Sequence, residues 1–249
     1  MPELNKANRQ VCDVDIRFLK TMAPFLFFET ANATTVGIDS SVVFARAKGT
    51  NRIPFHDPLT GTMSIEAQVY PFKFFALMSD GTISNEALYA DVVTVKCETA
   101  GELAVTVKNG NIQVGTVFAY PEDSYGDEAS MIAGTFADGK FTATEAEKIV
   151  VGTSYKVGYV VNRTGVKKVS FNDKKLPRDY FITMSTVDKD ENDLLVPFKI
   201  IAHKAAVQRN FELSFSSEGD PATVTMTFDL LESKDGEFVD MVEIEDDAT

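Results

Sequence analysis

Residues 211–231 read FELSFSSEGDPATVTMTFDLL. Phe211, Leu213 and Phe215 alternate with Glu212, Ser214 and Ser216, and a turn follows at Glu218-Gly219-Asp220-Pro221. Val224, Met226, Phe228 and Leu230 then alternate with Thr223, Thr225, Thr227 and Asp229. Period-2 alternation on both sides of a Gly/Asp/Pro turn predicts a β-hairpin with one buried apolar face. The other face carries small hydroxyls and carboxylates, with no histidine and no basic residue. TMSIEAQV, residues 62–69, repeats that chemistry: Met63, Ile65, Ala67 and Val69 fall on one side, Thr62, Ser64, Glu66 and Gln68 on the other.

Outward from these two stretches, the chain is punctuated mostly as strands. VVFARAKG (42–49) reads as a strand, followed by a loop, TNRIPFHDPLTG. YPFKFFALMSDG places Pro71 in a first helical turn and Gly81 just past a helix end. A short α-helix is expected there, packing Phe72, Phe75, Ala76 and Ser79 on the sheet. A second helix is a candidate at 14–22. Between 92 and 164 the texture changes to short strands separated by turns such as Asn109-Gly110 and Asp138-Gly139, the pattern of a small β-sandwich or barrel. The expected organisation is therefore a discontinuous core domain, 1–91 with 165–249, interrupted by an inserted β-domain at 92–164. The fold class is mainly β: an antiparallel sandwich or barrel with one short packed helix.

The 249 residues carry a formal net charge of −13. That field opposes nucleic-acid wrapping, which needs Lys and Arg to displace counterions, and it repels an anionic membrane surface. It is compatible with a surface that DNA passes without sticking. MPELNKANRQ lacks a basic region leading into an apolar stretch, so no secretory signal is expected, and MAPFLFF (22–28) is far short of a membrane span. Cys12 and Cys97 are too few for a disulfide framework and read as reduced thiols, with one bridge left open by their spacing. The acidic end, LLESKDGEFVDMVEIEDDAT, reads as finishing in a solvated tail.

Patterns of chemistry fail on their missing parts. GTFADGKF (134–141) approximates a phosphate-binding loop, but Phe141 stands where a magnesium-binding Ser or Thr is required, and its flanks read as two strands around Asp-Gly. Asp188, Asp190 and Asn192 imitate the start of a calcium loop that lacks its turn glycine (Asp193) and its bidentate glutamate (Lys199). His56 and His203 have no partners at metal or triad spacing. No catalytic residue, metal or cofactor is expected. Carboxylates brought together from distant strands stay open to a sequence reading, as does glycan binding by 92–164.

Two segments carry a family resemblance. LTGTMSIEAQVYPFKFFALMS runs a strand directly into an aromatic helix, and the order PFKIIAHKA, NFELSFSSEGDP, VTMTFDLL follows near the C-terminus. Together they resemble phage major tail tube proteins, relatives of the inner tubes of contractile injection systems, over about 36–83 and 166–240. The resemblance implies hexameric rings stacked head to tail, each subunit lending two strand pairs to a channel-lining barrel. The strands at 42–49 and 62–69, and at 211–217 and 222–230, are the expected pairs. Ser64, Glu66, Gln68, Glu212, Ser214, Thr225, Thr227 and Asp229 would then face a lumen passing double-stranded DNA. The 50–61 loop, with Asn51, Arg52, His56 and Asp57, would reach the next ring. Implied partners are further copies of the chain and other tail proteins: sheath or tape measure, baseplate and terminator. The implied setting is the virion tail, assembled in the host cytoplasm. A capsid decoration protein or a tail terminator ring is the alternative.

Overall fold

The computed structural model describes residues 5–210, 213 and 221–244. The chain divides into two compact units: residues up to Thr82 with those from Ser170 onward, and Ile83–Val169. The first unit opens with β1 (Lys6–Ala7), β2 (Asp13–Phe18), β3 (Pro24–Phe28), β4 (Ala33–Asp39), β5 (Val42–Ala47), β6 (Thr50–His56) and β7 (Thr60–Ala67). The second holds β8 (Ser84–Lys96), β9 (Glu102–Ala104), β10 (Gly110–Ile112), β11 (Phe118–Pro121), β12 (Gly134–Ala137), β13 (Lys140–Ala143) and β14 (Ser154–Lys168). The chain returns to the first unit with β15 (Asp179–Asp190), β16 (Leu195–Val207), β17 (Val224–Leu230) and β18 (Val239–Glu243). The protein is mainly β and every strand pairing is antiparallel, in a sandwich-like arrangement.

In the first unit the strand order is β3-β2-β15-β16-β17-β7-β4, with β1 on β15 and β18 on β16. The two ends of this path, β3 and β4, are consecutive in the chain and joined by residues 29–32. Seven strands laid flat would hold them about 29 Å apart, whereas the connection from Phe28 to Ala33 spans at most about 17 Å. The sheet must therefore curl on itself. Two hydrogen bonds fasten the connection, Thr30 Oγ1 to Val69 O and Asn32 N to Glu66 O, each 2.7 Å. The concave side holds the core, including Val14, Ile16, Phe28, Met63, Ile65, Ile182, Met226 and Phe228, all buried.

Local chemistry decides several elements against the sequence expectations. Residues 14–22 form β2 and a turn, not a helix: Val14 and Ile16 bury on alternate positions, and Met22 takes a left-handed φ of 56° before β3 begins. The helix after Pro71 is present at Phe72–Met78 but is a 3-10 helix. Three residues per turn stack Phe74 and Leu77 on one face, so they are buried, while of the expected face Phe72 is 40 % exposed and Phe75 is half-buried. Ala76 and Ser79 are buried as expected, and Ser79 Oγ donates to Ser170 O at 2.7 Å. Residues 50–56 are a strand, not a loop. Lys48 and Gly49, with φ of 51° and 78°, make a two-residue turn whose twist suits a tight hairpin, and β5 pairs with β6. The neighbour of β7 is consequently β4, not 42–49. Of the expected strand 211–217 only Leu213 is among the described residues.

The second unit is built on the long β8–β14 pair, with β10 and β11 on the far side of β14 and a separate β12-β13-β9 sheet. Leu103, Val105, Phe141, Ile149, Tyr155, Val157 and Val161 form its core. Its limits, 83 and 169, fall outside the expected 92–164 because β8 and β14 continue pairing as far as Ser84 and Lys168. The Asp138-Gly139 turn, with φ of 51° and 76°, joins β12 to β13, so the phosphate-loop look-alike is a hairpin. Cys12 and Cys97 are free thiols. Among the described residues no helix is long and apolar enough to cross a membrane.

Candidate functional site

Three strands of the first unit bring one kind of chemistry to one face. Across β7 and β17, Glu66 stands opposite Thr225, Ser64 opposite Thr227 and Thr62 opposite Asp229. Across β7 and β4, Ser64 stands opposite Thr35 and Thr60 opposite Asp39. The intervening positions Met63, Ile65, Ala67, Val224, Met226 and Phe228 are buried. Side chains alternate across a strand, so the polar set shares the outer face while the core takes the other. None of these polar positions carries a cation, and Asp39, Glu66 and Asp229 supply carboxylates.

Gln68 lies beyond the end of β7, where its backbone N–H donates to Asn32 Oδ1 at 3.3 Å. Asp229 accepts from Gln208 Nε2 at 2.6 Å, which brings the end of β16 to the same face. Glu212 and Ser214 lie outside the described residues. Sequence reading missed Thr35, Asp39 and Gln208. The signal for the first two was present in the Thr35, Gly37, Asp39 alternation of ATTVGID, but assigning 42–49 to the neighbouring position hid it.

The second feature is the β5–β6 hairpin. All its strand residues are exposed, and among the described residues β5 and β6 pair only with each other. Val43 opposite Phe55 and Ala45 opposite Ile53 form an apolar face, with Val43 61 %, Ile53 57 % and Phe55 59 % exposed. Asn51 accepts from Arg46 Nε at 3.0 Å near the tip. At the base, Asp57 N donates to Ser41 O (2.9 Å), Ser40 Oγ donates to Asp57 O (2.8 Å), and the Asp57 carboxylate accepts from Ser41 Oγ. Asn51, Arg52 and His56 thus lie on the hairpin, whereas Asp57 braces it.

Other candidates resolve into structural roles. Asp190 Oδ1 accepts from the backbone N–H groups of Asn192 and Leu194, both 2.8 Å, so the calcium-loop look-alike is the β15–β16 turn holding itself. His203, without partners nearby in sequence, gains two in space: Nδ1 lies 3.0 Å from Glu237 and Nε2 2.8 Å from Asp240. These contacts fasten β18 to β16. Among the described residues no cluster of His, Cys, Asp and Glu is arranged to hold a metal.

A family model described as the YomU/Tube protein family matches residues 9–244. The chain belongs to the YomU/Tube protein family. The assignment agrees with the resemblance to phage tail tube proteins and makes this a structural tube protein of the phage tail. The matched range, 9–244, spans Ile83–Val169, which the sequence resemblance had left outside. Comparison with curated proteins finds no match.

Proposed function

We propose that this tube protein assembles into rings, six subunits each, that stack into a channel for double-stranded DNA. The outer face of β4, β7 and β17 lines that channel. The observation that carries this reading is the register: Glu66, Ser64, Thr62, Thr225, Thr227 and Asp229 are in adjacent cross-strand pairs. Carboxylates on a channel wall repel phosphates, and hydroxyls keep the wall hydrated. A cationic wall would hold the genome by counterion release.

The hairpin, through Asn51, Arg52 and His56, makes the contact from one ring to the next. Other tail proteins meet the ends and outside of the tube, and the DNA is passed without sequence readout. Catalysis plays no part.

Negative-stain electron microscopy of the purified protein across a concentration series tests this. Stacked rings or hollow tubes are expected. Closed rings that never stack at any concentration would point to a terminator or capsid decoration role.

A further inference from the structure

The hairpin and a groove at its root are complementary, yet they do not meet within one molecule, since every strand residue of the hairpin is exposed. The segment 42–56 carries Arg46, Lys48 and Arg52, all near the tip, and no acidic residue, in a chain of net charge −13. Beside the hairpin's root, where β4 ends and β7 begins, lies a groove of about 500 Å³. Ile38, Leu59, Leu231 and Phe238 give it an apolar lining, and Asp39, Asp229 and Glu232 stand around it with no Lys or Arg among the lining residues. An apolar ribbon with a basic tip faces an apolar groove with an acidic rim.

The hairpin does not fill its own groove. Six to seven residues per strand carry the tip about 20 Å from the root. The Ser40, Ser41 and Asp57 contacts tie the two strands together at the root. A two-stranded ribbon bare on both faces is marginally stable at best in water, and a partner that covers it would add stability.

We infer that the β5–β6 hairpin of one copy docks in the groove of a second copy along Ile38, Asp39, Leu59, Leu231, Glu232 and Phe238, leaving Thr62 and Asp229 to the channel wall. Val43, Ala45, Ile53 and Phe55 cover the apolar lining, and Arg46, Lys48 and Arg52 meet Asp39 and Glu232. Donor and acceptor are different surfaces, so the contact is heterologous and repeats without closing on a pair. This rests on the tube reading and adds the acceptor to it.

The test is a charge exchange in the full chain. One variant carries Arg46→Glu and Arg52→Glu, a second carries Asp39→Lys and Glu232→Lys, and a third carries all four. Each is checked for an unchanged fold by circular dichroism and followed by sedimentation velocity. Each two-site variant is expected to associate at least ten-fold more weakly than wild type, and the four-site variant to recover. A mixture of the two-site variants should co-assemble. Carbodiimide cross-linking of mixed light and heavy-isotope wild-type protein should join Lys48 to Asp39 or Glu232 between molecules.

If only the hairpin variant loses association, the acceptor lies elsewhere and this inference falls while the tube reading stands. Undiminished association of both two-site variants would overturn the inference alone. A wild-type protein monomeric at every concentration, with no intermolecular cross-link, would overturn both.

Discussion

Glu66 and Thr225 face each other directly across β7 and β17, with the next pair on that face, Ser64 and Thr227, equally polar. If this is the channel wall, a cation placed here acts on DNA and not on folding. Glu66→Lys is exposed and should change subunit stability by no more than about 0.5 kcal/mol. Tubes should form, and genome release, followed by dye uptake into ejected DNA, should slow. Normal release through tubes carrying Glu66→Lys would remove the face from the channel.

Tyr180 is fully buried between Phe18 and Phe25, at ring distances of 5.9 and 5.6 Å. Among the described residues its hydroxyl has no hydrogen-bond partner, and burial pushes its ionisation well above the ordinary phenol value. A buried hydroxyl without an acceptor carries a desolvation cost with no compensating bond. Tyr180→Phe should leave stability within about 1 kcal/mol of wild type or raise it. Chemical denaturation measures this, and a loss of several kcal/mol would reveal a partner for the hydroxyl.

Two glycines of the second unit look alike in sequence but differ in what surrounds them. A Cβ on Gly134 would lie 2.4 Å from the backbone oxygen of Thr142 and 2.5 Å from the ring of buried Phe141. A Cβ on Gly158 would lie 2.1 Å from the hydroxyl of Tyr125, an exposed side chain that can swing aside. Gly134→Ala should therefore cost about 1–3 kcal/mol, as overpacking does. Gly158→Ala should cost less and displace Tyr125, visible as a change in its fluorescence. Equal costs would show that Tyr125 is held in place.

His203 joins β16 to β18 through Glu237 and Asp240, contacts that an alanine cannot make. His203→Ala should speed amide hydrogen exchange at 239–243 several-fold, because edge segments open locally. Exchange at Val14 and Ile182, in the buried part of the sheet, should not change. Unaltered exchange at 239–243 would mean that the backbone ladder alone holds β18.

The β class and most of the strands at 62–69 and 222–230 were legible because each alternates cleanly and packs one face, although β7 ends at Ala67, leaving Val69 exposed, and β17 begins only at Val224. Which strands become neighbours was less legible, since pairing is a long-range choice. Lys48-Gly49 was the local sign that 42–47 turns back on 50–56, and without it β4 lost its place beside β7. The aromatic stretch after Pro71 marked a helix correctly, but its pitch, and so its buried face, was set by packing of Phe74 and Leu77. Glu237 and Asp240 could not be matched to His203 from sequence, because more than 30 residues separate them.

The second unit begins and ends at a seam, for Ser84 is paired with Lys168. Chain that leaves the first unit at Thr82 re-enters it at Ser170 with its two ends already side by side. Closure of the second unit is thus carried by its own outermost strand pair, whatever the length of chain between those two strands.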